Sequence, residues 1–437
     1  MTVKATRFSS SLGIKYPTLR DNLLKIGPRW LKGKRADDGA EGLWRVHDNL
    51  YDLSDFVRQH PGGAEWLQLT QGTDVTEAFE THHLTSTAEK LIEKYFIRKA
   101  KTRRNSPFTF KEGDFYKTLK KNIVEKLKEV PNEPAERSKR ITDFLLFAYV
   151  SLALLAAIFR SFTFGMFSGI FLSLTAIAAH NFFHQKDNLR MYYFNFTLLE
   201  YSEWRISHAL SHHLHTNTIN DLEISSLEPF LQYLPGKKHI LVQIAQIFIS
   251  PIIWCFIFVG SFIRSLIAMV LGEKPYEPII FLPFSVMVAM VVFSGELISP
   301  FLMFWWIQIT GSLHFGAVGV NAAHHHPDIF HDGDIPRPEK DWGIYQMDAV
   351  MDRKDITGSH FLVLTNFGDH ALHHLFPTID HGLLDYLYPT FLKTCADFGL
   401  EWKLSSQIEL VKGQMRQLVK TKPNGEPPRA LKPIKFL

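Results

Sequence analysis

At 437 residues the chain has room for two or three domains, and 48 Lys+Arg against 44 Asp+Glu leave a formal net charge of only +4. That balance points to no nucleic-acid partner. Two cysteines, Cys255 and Cys395, exclude a disulfide framework and a cysteine-rich zinc site, whereas 21 histidines are many for this length. The amino terminus, MTVKATRFSSSLGIKYP, has no apolar core segment, so no signal peptide is expected and the chain should stay on the cytosolic side. Hydropathy is uneven: residues 1–140 are polar and charged, and 141–320 hold most of the long apolar runs.

Residues 1–42 read as an N-terminal extension, and 43–100 as a compact α/β unit. LWRVHDNLYDLSDF alternates like a short strand and then turns. His60-Pro61-Gly62-Gly63 makes a tight turn at which backbone can approach something flat. Helices are expected over AEWLQLT and VTEAFETHH, the second ending at His82 and His83. The run WRVHDNLYDLSDFVRQHPGG followed by GTDVTEAFETHH resembles the cytochrome b5 domain over about sixty residues. The resemblance implies haem b with two axial imidazoles: His60 of the HPGG turn, and a histidine about two dozen residues on. Desaturase-fused versions place the second ligand four residues after the phenylalanine, here Phe79, which selects His83 over His82. Two neutral imidazoles leave no open position for oxygen, so such a site shuttles single electrons.

Residues 101–140 form a basic juxtamembrane linker. The stretch 98–140 carries 14 Lys/Arg against 6 Asp/Glu, fitting either the positive-inside rule beside an anionic leaflet or a solvated, partly helical linker. A membrane domain is expected over 141–385. Segments 141–159 and 162–179 are each about long enough to span, which brings His180 back to the cytosolic surface. Residues 240–271 are apolar, with Arg264 near their end, and 279–320 could form a span plus an interfacial piece or two spans. Four crossings are expected, with 240–271 partly interfacial as an alternative. An even count keeps every histidine cluster on the side of the haem domain. Residues 386–437 are expected to be a cytosolic C-terminal tail.

Four histidine clusters follow the apolar segments. His180/His184 share a helix face at spacing four, as do His208/His212, with His213 beside them and Thr216-Asn217 shortly after. DHALHHLFPTID (369–380) places His370, His373 and His374 on one face. Between these lies Asn321-Ala-Ala-His324-His325-His326. The three strong clusters supply eight imidazoles, too many for one metal and suited to two. His215, His314, His331 and His360 remain as structural histidines, and Asp187, Asp221 and Asp369 could orient imidazoles or cap helices.

The pattern HxxxH, HxxxHH with xxTN, and HxxHH resembles the membrane fatty acid desaturase and hydroxylase superfamily over roughly 141–385, and DWGIYQMD (341–348) is similar to family sequence. The implied fold is a small α+β haem domain followed by an all-α integral membrane domain, with about four transmembrane helices and a cytosolic histidine-rich cap. The implied site is two non-haem irons on His180, His184, His208, His212, His213, His370, His373 and His374. The superfamily's Asn-x-x-x-His element maps to Asn321 and His325, His325 as ninth ligand and Asn321 acting directly or through water. No catalytic residue is expected beyond the metal ligands. Typical front-end desaturases have glutamine where this chain has His370; both bind metal, so the departure bears on regiochemistry and substrate class. The expected activity is oxygen-dependent desaturation of an acyl-CoA or acyl-lipid in the endoplasmic reticulum membrane, with electrons from a nicotinamide-dependent cytochrome b5 reductase. Hydroxylation on the same scaffold, or a haem carrier whose dimetal site is unused, are the alternatives.

Overall fold

The computed structural model describes residues 8–320 and 323–428. Its N-terminal part is a small α+β unit. Strands β1 (Trp44–Val46), β2 (Asn49–Tyr51) and β3 (Phe96–Lys99) form an antiparallel sheet in the order β1-β2-β3. Trp44, Val46, Tyr51, Leu53 and Ile92 give it a core of its own. Before the sheet lies helix α1 (Gly27–Asp37); after β2 come α2 (Ala64–Thr70) and α3 (Thr76–His82).

The extension does not hang free. The Gly27 amide donates to Glu203 at 2.6 Å, and the Trp30 indole donates to the Asn220 carbonyl at 2.8 Å. The amide of Ser11 donates to Asp332 at 2.9 Å. Residues 8–37 therefore strap the small unit onto the helical one.

The basic linker is also ordered. Its helix α4 (Phe115–Leu127) buries Phe115, Tyr116, Leu119 and Ile123 completely. Three of its cations dock the small unit: Arg104 pairs with Asp74 and Glu77, Lys117 lies 2.8 Å from Glu80, and the Lys120 ammonium donates to the Glu80 carbonyl at 2.8 Å. Desolvation alone would raise the Glu80 carboxyl; hydrogen bonds from His47 and Lys117 instead hold it down to about 2. Part of the charge excess read as a membrane signal is thus internal. Residues after 385 likewise fold into the cap: Asn122 of α4 donates to Thr394 at 3.1 Å, and Asp352–Arg353 pairs in parallel with Leu404–Ser405.

The membrane part is built on two hairpins. Helices α5 (Glu133–Ile158) and α6 (Phe162–Phe183) form one. The other joins α8 (Leu282–Ser294) to α9 (Ile298–Phe315). Arg160, in the first turn, pairs with Glu296, in the second, so both turns lie at the same end of the bundle. Between the hairpins runs α7 (Ile240–Val270). By length and composition α5, α6, α7 and α9 can each cross a bilayer, and α8 belongs to a shorter apolar helix, 278–294. Connectivity separates them. Just before α7, Lys238 donates to the Leu418 carbonyl at 2.9 Å; just after it, Lys274 lies 2.6 Å from Glu200 and Glu273 lies 2.9 Å from Arg29. All these partners belong to the histidine-bearing cap or to the N-terminal strap. Both ends of α7 are tied to that side, and from this connectivity we infer that α7 lies along the interface and that α5, α6, α8 and α9 are the crossings, whereas length and composition alone select α5, α6, α7 and α9. On that reading 279–320 supplies two crossings, and the count stays even.

Helices α6 and α9 touch backbone to backbone. A Cβ added to Gly169 would lie 2.7 Å from the Ile307 carbonyl oxygen and 2.8 Å from the Gly311 nitrogen. In lipid, small residues are what permit such an approach. Gly169→Val is expected to cost about 1–3 kcal/mol through overpacking, read as a lower thermal midpoint in detergent, with Gly260→Val, which meets open space, as the control.

Candidate dimetal centre and haem cleft

In the small unit, His60 and His83 face each other across a cleft of about 510 Å³ walled by Leu53, Phe56, Trp66, Leu67 and Phe79. Their ring centroids are 6.1 Å apart. His60 Nδ1 donates to the Gly63 carbonyl at 2.8 Å, and His83 Nδ1 to the Phe79 carbonyl at 2.9 Å. Each carbonyl fixes the tautomer and leaves Nε2 as the free donor atom. A metal–nitrogen bond of about 2 Å on each side, plus each ring's half-width, spans about the observed separation. Burial keeps His83 below the ordinary imidazole range, and hence neutral. The residues present fit a haem with two axial imidazoles. His82 borders the same cleft and bonds the Ala78 carbonyl in the same way, but its ring packs 5.6 Å from Trp66, and the ring 6.1 Å from His60 is that of His83.

The other histidines converge at the end of the bundle opposite the Arg160–Glu296 turns. His180, His184, His208, His213 and His373 form one group, and His212, His324, His370 and His374 a second; within each group the ligand nitrogens lie within 4.8 Å of one another. The first box ends α6, where spacing four puts both rings on one face. The second box lies on a π-helical stretch, Arg205–His212. In a helix with i→i+5 hydrogen bonds, His208 and His213 align, with Nε2 atoms 3.0 Å apart, and His212 turns into the second group. His208 and His212 stay neighbours, their rings stacked 5.4 Å apart, and with Glu223 they form a third set of converging donor atoms. The third box forms helix α10 (His370–Leu375), opened by Asp369 in the left-handed conformation (φ 50°).

The geometry fits metal ions. Nε2 atoms approach at 2.8 Å (His180–His208), 3.0 Å (His184–His180), 3.1 Å (His374–His370) and 3.1 Å (His324–His374). Ligands on bonds of about 2.1 Å at right angles lie about 3 Å apart. A neutral imidazole has one N–H, so such clusters cannot be satisfied by mutual hydrogen bonds. Burial, reinforced by repulsion among neighbouring imidazoles, holds His184, His213, His370, His373 and His374 well below their ordinary range, in the neutral form that metals require.

The outer nitrogens are oriented by several elements. His208 Nδ1 donates to Glu223 at 3.0 Å and His212 Nδ1 to Asp221 at 2.8 Å. His374 Nδ1 donates to Gln346 at 3.1 Å, and His324 Nδ1 to the Ala349 carbonyl at 3.1 Å. Gln346 belongs to DWGIYQMD, whose Trp342 also donates to the Leu214 carbonyl. Asn217 donates to the carbonyls of His324 and Phe330, tying the second box to the 324–330 loop. Of the three carboxylates singled out in sequence, Asp221 alone orients an imidazole: Asp187 pairs with Arg205, and Asp369 accepts from Thr357. Glu223 and Gln346 were missed, since only tertiary packing brings them in. So was His381, whose ring is tilted against His373 at 4.4 Å and hydrogen-bonded to Asn181.

One assignment is corrected. His325 is outside both groups; its ring lies flat on Tyr233, at 3.7 Å and 9°. His324 takes the place in the second group, because the loop after α9 is anchored by its carbonyl to Asn217 and by its Nδ1 to Ala349. Asn321 lies outside the described residues. His331 and His314 bond the Ile329 carbonyl and Ser173, and His360 bonds Ser138, all away from the centre. A second cavity, of about 440 Å³, runs from His208, His212, His324 and His370 along the Ile253, Ile257 and Arg264 face of α7.

Comparison with known proteins supplies the family of each part. Residues 146–405 match the fatty acid desaturase family, and residues 31–101 match the cytochrome b5-like heme/steroid binding domain. The chain belongs to the fatty acid desaturase family, with a fused cytochrome b5 domain. It is 40% identical over 430 residues to a cytochrome b5-related protein of Drosophila melanogaster, covering 96% of this chain and 98% of that one. It is 23% identical over 429 residues to a probable Delta(5) fatty acid desaturase C of Dictyostelium discoideum, covering 86% and 90%. An acyl-lipid (8-3)-desaturase of Mortierella alpina is 22% identical over 402 residues, covering 82% and 88%. As a desaturase family member the protein is a membrane oxidoreductase in type.

Two substitution pairs test the ligand sets. His324→Ala is expected to lower non-haem iron per chain by about half while His325→Ala retains it, measured by metal analysis of the purified protein. His83→Ala should abolish the haem absorption band, whereas His82→Ala should keep it.

Proposed function

We propose that the protein is a membrane-bound, oxygen-dependent fatty acyl desaturase supplied with electrons by its own haem domain. The observation that carries this reading is the convergence of nine buried histidines into two groups beside an apolar cavity. His60 and His83 would hold haem b. The groups of five and four imidazoles would each hold one non-haem iron. Bound there, these groups supply single-electron transfer and activation of oxygen strong enough to remove hydrogen from an unactivated methylene, which no side-chain acid or base can do.

The chain's own residues do the rest. Ile253 and Ile257 of α7, with Phe315 and Phe367, offer an apolar wall for an acyl chain next to His212, His324 and His370. The interfacial position of α7 lets a lipid tail enter from the bilayer. Burial of the centre excludes water from the reacting carbon. Glu223, Asp221 and Gln346 hold the imidazoles in the ligating tautomer. The haem domain and histidine cap share one side of the membrane, which we assign to the cytosolic face of the endoplasmic reticulum, where a nicotinamide-dependent cytochrome b5 reductase can reach the haem cleft. Substrates are an acyl-CoA or acyl-lipid, and molecular oxygen.

The test is lipid mass spectrometry on cells fed deuterium-labelled fatty acids and expressing wild type or His373→Ala. The expected result is a product two hydrogens short, formed only with wild type. A product gaining one oxygen would make the protein a hydroxylase. No product across several chain lengths, with a reducible haem, would make it an electron carrier.

A further inference from the structure

The haem cleft is not open to solvent on all sides. Its wall includes Lys186, Leu210 and Thr378 of the desaturase domain, and His184 of the first histidine group. The two domains meet at Arg205, which is fully buried. Its Nη2 donates to Asp187 at 2.7 Å, Nη1 pairs with Glu65, and Nε donates to the Phe183 carbonyl at 3.2 Å. The guanidinium centre also sits 4.7 Å over the Trp66 ring. Glu65 and Trp66 follow the HPGG turn directly; Phe183 and Asp187 flank His184. One side chain therefore grips the element that carries His60 and the element that carries His184. Gly63 has φ +115°, and a Cβ there would lie 2.6 Å from the Asp187 carboxyl carbon, so the turn itself is seated against the loop after the first box.

We infer that Arg205 is the positioning residue of an intramolecular electron path, locking the haem cleft against the first histidine group so that electrons pass within one chain. The inference rests on the function proposed above. Only a planar, multi-donor cation can satisfy two carboxylates and a carbonyl while stacking on an indole, so lysine is no substitute. In each transfer, haem b held at His60 and His83 would give up one electron, and iron held by the histidine groups would take it up. No bond is made or broken, and the reductase, or dithionite in vitro, supplies the electron. Because transfer slows steeply with distance, a seam held shut makes the path independent of protein concentration.

The test uses the full-length protein with haem and iron, comparing wild type with Glu65→Lys, which turns the Arg205 pair into a repulsion while leaving every proposed ligand in place. Glu65→Gln is the milder second variant. The haem spectrum and iron content are expected to match wild type. Hydrogen–deuterium exchange at 60–66 and 184–188 should rise, and single-turnover reoxidation of pre-reduced haem by oxygen and acyl substrate should slow at least tenfold and become concentration-dependent. Reoxidation at the wild-type rate despite faster exchange would overturn the path, and unchanged exchange in both variants would overturn the clamp. A wild type that oxidises acyl chains with added cytochrome b5, while its own haem stays reduced, would overturn the path and leave the proposed function standing. A wild type that binds haem but no non-haem iron would overturn both.

Discussion

The structure depends on keeping a crowd of imidazoles dry, neutral and convergent. A protonated histidine cannot ligate a metal, and two protonated histidines 3 Å apart repel strongly. Burial favours the neutral state at His184, His208, His213, His324, His370, His373 and His374, whereas the Asp221 and Glu223 carboxylates raise His212; the outer nitrogens are directed by Glu223, Asp221, Gln346 and the Ala349 carbonyl. Much of the cap follows from this need. The DWGIYQMD segment, the Thr216-Asn217 turn and the 324–330 loop each hold an imidazole or the backbone beside one.

The bilayer sets the second constraint. Backbone polar groups in lipid must be satisfied internally, so the spanning part is helical. The close Gly169–Gly311 contact brings α6 to α9 and fixes where the first box emerges. Helix α7 then lines a cavity that has the histidines at one end. Helix α7 is as apolar as a true span, and its connections alone distinguish it from one.

The haem domain is held at several points. Arg205 grips its HPGG side, the linker cations Arg104, Lys117 and Lys120 grip α3, and the Tyr116 hydroxyl lies 3.4 Å from the Glu80 carbonyl and 3.2 Å from that of Leu375, just past the third box. Buried charge pairs are a weak source of net stability but a strong source of specific geometry, since each tolerates few arrangements. Here they orient the cleft toward His184.

What the sequence by itself determined was set by local periodicity and composition: the two-part class, the apolar segments, the HPGG turn, and a first and third box whose spacing puts imidazoles on one helix face. These are short-range properties, and short-range spacing reports them. Tertiary structure alone decided the division of nine histidines into five and four, because a π-helical turn changes which neighbours align. It alone put His324 in the second group and His325 on Tyr233, because the loop is anchored from Asn217 and Ala349, far away in sequence. It alone turned 240–271 into an interfacial helix and the basic linker into a docking element, since a helix and a lysine are read by what lies opposite them, and the partners come from distant parts of the chain.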